Sequence, residues 1–201
     1  MKNTKVLIAA VTLAVAVTVS TTSQAQLGGI LKKKEPAGAG SAGAADGASF
    51  LKQMTPGAIK FTQAYGKYSE ALGDTEHAAK MKVLADVMEK GGVLTKGQSK
   101  EMDDARKKIS DATKQAKDFN DESKAKWKEA TGLYSQGLVE WTVVSAAVAM
   151  ALKDNPSAAL TQPELGLAAG LCVKGLKDLT GFLEIAKAKS DMQKELDKAA
   201  K

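Results

Sequence analysis

The sequence has one cysteine, one histidine and one arginine in 201 residues, with only two tryptophans, three tyrosines and four phenylalanines. Each scarcity removes a chemistry. The lone Cys172 leaves no internal disulfide and no C-x-x-C redox or zinc motif, so packing alone must hold the fold. The lone His77 excludes catalytic arrangements and metal sites built on several imidazoles. Arg106 is a single arginine against 28 lysines, and phosphate forks and base readout rely on the planar guanidinium. No nucleic-acid partner is therefore expected. G-x-S-x-G, H-E-x-x-H and a phosphate-cradling glycine loop are also missing.

The acidic pairs Asp103-Asp104 and Asp121-Glu122 sit among lysines. Adjacent residues on a helix point apart, so neither pair makes a general acid/base dyad. The expectation is a protein that is not an enzyme, with no catalytic residue, no cofactor-binding residue and no metal site. His77, Met81 and Met88 share one helical face, and imidazole and thioether suit Cu(I). With Leu84 between the two methionines, that spacing is instead the ordinary seam of a core, which methionine often fills.

Long apolar runs are scarce too. The one at the start follows Lys2 and Lys5, spans residues 6–19 and precedes the small-residue site Ser23-Gln24-Ala25. That order is a secretory signal, with cleavage expected after Ala25 and localisation in the periplasm or outside the cell. Gln26 stands where a lipoprotein would carry cysteine. Removal of residues 1–25 takes two lysines with it and lowers the net charge from +6 to +4, 27 basic against 23 acidic residues. The remaining lysines interleave with acids, a pattern of solubility with mild attraction to anionic envelope surfaces. Residues 26–49 are rich in glycine and alanine, lack periodicity and read as a flexible leader carrying Lys32, Lys33 and Lys34.

What is abundant is helical periodicity. Residues 50–201 are expected to form one domain. Thr55-Pro56 reads as a cap and first-turn proline, followed by Ala58, Phe61, Tyr65, Tyr68 and Leu72 in steps of three and four. Gly73-Asp74 ends that helix and starts the next, which carries His77, Met81, Leu84 and Met88 until Gly91-Gly92. A third helix over residues 98–119 has a narrow seam of Met102, Ala105, Ile109, Ala112, Ala116 and Phe119. Asn120 then caps a fresh start. The final stretch after Ile185 reads as a fraying extension of the last helix, with Met192 and Leu196 its only large apolar residues.

Residues 137–186 hold the strongest pattern, two apolar helices joined at Asn155-Pro156. The first arm, residues 121–153, carries Trp127, Tyr134, Trp141, Val148 and Leu152, and its uncharged stretch from Trp141 to Leu152 predicts burial on most sides. Thr161 to Glu164 reads as a T-x-x-E capping box for the second arm, which carries Leu165, Cys172, Leu176 and Phe182. Lys174 and Lys177, together with Glu140 and Lys153, cut both arms short of the roughly 20 residues that span a bilayer, so no span is expected in the mature chain. Gly132, Gly137, Gly166, Gly170, Gly175 and Gly181 fall within helical pattern, where each costs about 1 kcal/mol. They predict close helix crossings, with Gly170 against Ala149 as the sharpest case.

These observations imply an all-α fold, a single antiparallel helical bundle of about five helices with a central apolar hairpin. The expected function is non-catalytic binding or structural work in a bacterial envelope, toward another envelope protein or an anionic envelope surface. Two alternatives come from other classes. A carrier of a small apolar ligand predicts a lined void, and a membrane-active hairpin predicts exposed apolar arms.

Overall fold

The structure is a computed structural model that describes residues 46–116 and 119–199. The expected signal of residues 1–25 and most of the leader lie outside the described residues. Among those described, all regular structure is helical: α1 Gly47–Ala71, α2 Thr75–Gly91, α3 Lys96–Gln115, α4 Asp121–Asp154, α5 Ala158–Thr161 and α6 Pro163–Ala199. The all-α bundle expected from periodicity is thus present, with a one-turn α5 added at the apex of the hairpin.

Helix starts follow local chemistry. The side chains of Asp46, Asp74, Thr95 and Asn120 each accept a backbone N–H of the following turn. Thr95 and Gln98 form a reciprocal capping box. Helix α2 ends on Gly92, whose φ of 71° suits glycine at little cost.

Two expected starts fall elsewhere. Helix α1 begins at Gly47, and Pro56 lies inside it rather than in its first turn. The proline removes the bond that the Lys52 carbonyl would accept, yet Lys52 and Pro56 both face solvent, where water serves that carbonyl. Thr55 makes no cap; its hydroxyl donates to the Leu51 carbonyl at 2.9 Å. Nor does Thr161 cap α6. Its hydroxyl donates back to Ala158, while the Gln162 carbonyl accepts from Gly166 N–H. Pro163 takes the first helical position, where an N–H would have no partner.

Helix α3 stops at Gln115, short of the predicted end, and Thr113 rather than Ala112 is buried near its C-terminus. The Thr113 hydroxyl satisfies itself on the Ile109 carbonyl at 2.6 Å. The final stretch is helical to Ala199, and it packs with polar residues. Lys189 and Gln193 are buried, whereas Met192 and Leu196 are exposed.

Helix α1 lies against α2, α3, α4 and α6, so it holds the bundle together from inside. The hairpin of α4 and α6 forms as expected and wraps this helix. Pairs from Gly57 with Gly137 to Tyr68 with Trp127 run in opposite chain directions, which makes α1 and α4 antiparallel. The pairs Trp127 with Ala186 and Tyr134 with Leu179 do the same for α4 and α6.

Seven of the nine aromatics meet here. Phe61, Tyr65 and Tyr68 from α1 interleave with Trp127, Tyr134 and Trp141 from α4 and Phe182 from α6, with ring centroids 4.5 to 6.5 Å apart. Three of the polar ends are served, whereas the buried Trp141 Nε1 has no hydrogen-bond partner among the described residues. Tyr134 donates to the Leu179 carbonyl, Trp127 to the Ala186 carbonyl and Tyr68 to the Thr131 hydroxyl.

Candidate functional site

The residues weighed for chemistry lie in the core or in ion pairs of the helix surfaces. His77 is buried at the start of α2, with Nδ1 2.7 Å from the buried Ser69 hydroxyl. Burial first, and then the Lys108 ammonium, hold its pKa below the ordinary value. Met81, Leu84 and Met88 join the core. Among the described residues no cluster of three histidine, cysteine or acidic side chains can hold a metal ion.

Cys172 is fully buried near Ser145, and burial pushes its thiol up to about 11, away from the reactive thiolate. The acidic pairs are dispersed in ion pairs. Asp103 faces Arg106, Asp121 faces Lys124, and Glu122 faces Lys126. Arg106 also reaches Asp178 at 3.2 Å and ties α3 to α6.

The aromatic stripe of α1 packs ring against ring with the two hairpin arms. An opening lies between α2 and α3, which scarcely touch. It is an open groove of ≈ 840 Å³ lined by Met81, Val83, Leu84, Val87 and Ala105, with Lys80, Glu101, Asp104 and Lys108 also along it.

The close crossings also differ from expectation. A Cβ on Gly170 would meet nothing within 4 Å, and Gly132 and Gly181 are equally open. The tight crossing is between α1 and α4: a Cβ on Gly137 would stand 3.0 Å from both the Gly57 carbonyl oxygen and the Phe61 ring. Gly166 is similarly held, 2.9 Å from the Ala159 carbonyl. The pattern of small residues flagged close packing in this region, but the helix that approaches is α1, which periodicity within the hairpin cannot reveal.

The most informative surface is the outer side of α4. The core side holds Trp127, Tyr134, Trp141, Val148 and Leu152. On the opposite side, Val139, Val143, Ala146 and Met150 follow one another in steps of four, three and four. Val143 is 60% exposed and Met150 67%. At the apex, Leu160 of α5 is 84% exposed. Between Trp141 and Leu152 most residues are buried or half-buried as expected, but Val143 and Met150 are left uncovered on the outer side. Helix α4 has the length and composition to cross a membrane, and just 33% of its most apolar stretch is buried. A core helix would be covered around its apolar circumference, and a surface helix would be polar on its outer face. This helix is neither.

No protein-family model, curated protein or solved structure matches this chain.

Proposed function

We propose that the chain is an exported, non-catalytic protein of a bacterial envelope that acts by contact through the outer face of its apolar hairpin. The observation that carries this reading is the second apolar face of α4, with Val139, Val143 and Met150 left exposed. Exposed apolar side chains aligned on one helix face offer a surface for contact. The basic, apolar and small-residue order of residues 1–25 supports export. A carrier of apolar ligands has less support, since ring packing fills the space between the arms.

Fractionation of cells with intact-mass measurement tests the reading. The exported protein is expected to begin at Gln26 and to associate with the envelope. The double variant Val143→Lys/Met150→Lys is expected to fold normally and to move into the soluble fraction. Retention of residues 1–25, or equal envelope association of the variant, would count against it.

A further inference from the structure

We infer that the seat of α2 on α1 is a latch that acid loosens, through protonation of the buried His77. The latch is built at the corner between the two helices. The Ser69 carbonyl of α1 accepts the Asp74 N–H at 2.8 Å, and the Ser69 hydroxyl meets His77 Nδ1 at 2.7 Å. Gly66 lets the next turns of α2 come close, since a Cβ there would stand 3.6 Å from both the Ala78 carbonyl oxygen and the Met81 side chain. Helix α2 rests chiefly on α1, and Met81, Leu84 and Met88 are the large apolar side chains it adds to the core. His77 thus stands at the head of the contact face that holds α2 down.

A proton on this ring is poorly accommodated. The charged groups that act on it are Asp74 and Lys80 on its own side and Lys108 from α3, while α1 presents the neutral Ser69 hydroxyl. Asp74 is the favourable one, yet it already accepts the His77 backbone N–H at 2.9 Å and pairs with Lys108 at 2.7 Å. Glu76, Glu101 and Asp104 also line the groove that the ring borders, all three exposed, where water and salt screen them. The ring belongs to the first turn of α2, whose positive end opposes a cation. Burial, and then Lys108, hold the seated imidazole below its ordinary pKa of 6.5, to which a released, hydrated ring returns. The seated form therefore binds fewer protons, and acid favours release. The effect sets in as pH falls through 6.5 and levels off below the lowered pKa of the seated ring. Asp74 titrates in a separate window. The hydrogen bond from Lys108 holds its carboxyl below the ordinary 3.8, so its cap and ion pair survive at mildly acidic pH. Release would bare Met81, Leu84 and Met88, which makes acidification a signal that exposes apolar surface.

Native-state hydrogen exchange at about pH 7 and about pH 5, corrected for the intrinsic pH dependence of exchange, reads the release. Protection of the α2 amides from Met81 to Met88 is expected to fall roughly three-fold or more at the lower pH, with a ceiling of roughly 25-fold for a ring that ionises only when released. His77→Gln carries no titrating group at this position, and its α2 protection is expected to be the same at both pH values. The ratio is taken within each protein, so a general loss of stability in the variant does not imitate the effect. As the lone histidine, His77 also gives a single imidazole Cε1–H resonance. Its NMR titration midpoint in the folded protein is expected below the midpoint in urea. A folded midpoint at or above the urea value, protection unchanged by pH, or an equal loss of protection in His77→Gln would overturn the latch.

Discussion

Gly137 and Gly170 are both helical glycines in apolar arms, and alanine is expected to act on them with opposite signs. At Gly170 the new methyl meets open space, so the gain is the helix propensity alone, about 1 kcal/mol. At Gly137 the same gain is outweighed by a contact of 3.0 Å with a backbone oxygen and a buried ring, neither of which can swing aside. Overpacking of this kind costs about 1–3 kcal/mol, so a net loss is expected, and a larger one for Gly137→Leu. Urea unfolding of the two alanine variants beside the parent measures both signs. Stabilisation at Gly137 would show that α1 and α4 can separate without penalty. The sequence announced that some of these glycines serve packing, since six in two arms is costly. Which ones do so depends on where a third helix crosses, and that is tertiary information.

Among the elements, the boundaries written in local chemistry were legible: Gly73-Asp74, Gly91-Gly92, Asn120 and Asn155-Pro156 all mark observed helix ends. The misread ones depend on surroundings. Pro56 is tolerated because its side of α1 is wet, and the α6 extension is held by residues that look like solvated tail. Lys189 is the clearest instance. Its ammonium donates to the Ala116 carbonyl at 2.8 Å, at the open end of α3, and stands 4.8 Å from the Phe119 ring centre. One turn on, the Gln193 side-chain oxygen accepts the Phe119 N–H at 3.1 Å. Together they fasten the α3–α4 connection to α6. Lys189→Met keeps most of the apolar stem but loses a charge-assisted hydrogen bond, and is expected to cost about 1.5–3 kcal/mol. Chemical denaturation measures the loss. A neutral result would mean that relief from burying the charge offsets the bond.

Across the whole molecule, stability is unevenly distributed, and the reason is layering. Helices α1, α4 and α6 share the aromatic cluster, so opening any one of them exposes the rings of all three. Helices α2 and α3 each lean on this trio but scarcely on each other. What spans the groove between them includes the ion pair of Asp74 and Lys108 at 2.7 Å, and both partners are substantially exposed. An exposed pair contributes about 0–1 kcal/mol, too little to couple two helices. The amides of α2 and α3 should therefore exchange through partial openings well below the free energy of global unfolding, whereas those of Phe61 to Tyr68, Trp127 to Trp141 and Leu176 to Leu183 should wait for the global event. Native-state hydrogen exchange in rising urea measures this directly. Two groups of exchange energies are expected, with the aromatic trio forming the upper one. A single merged group would mean that α2 and α3 are cooperative parts of the core. With two groups, the helix that carries the apolar outer face is anchored in the slowly exchanging part of the molecule through Trp127 to Trp141, so contact through that face would require no prior opening of the aromatic core.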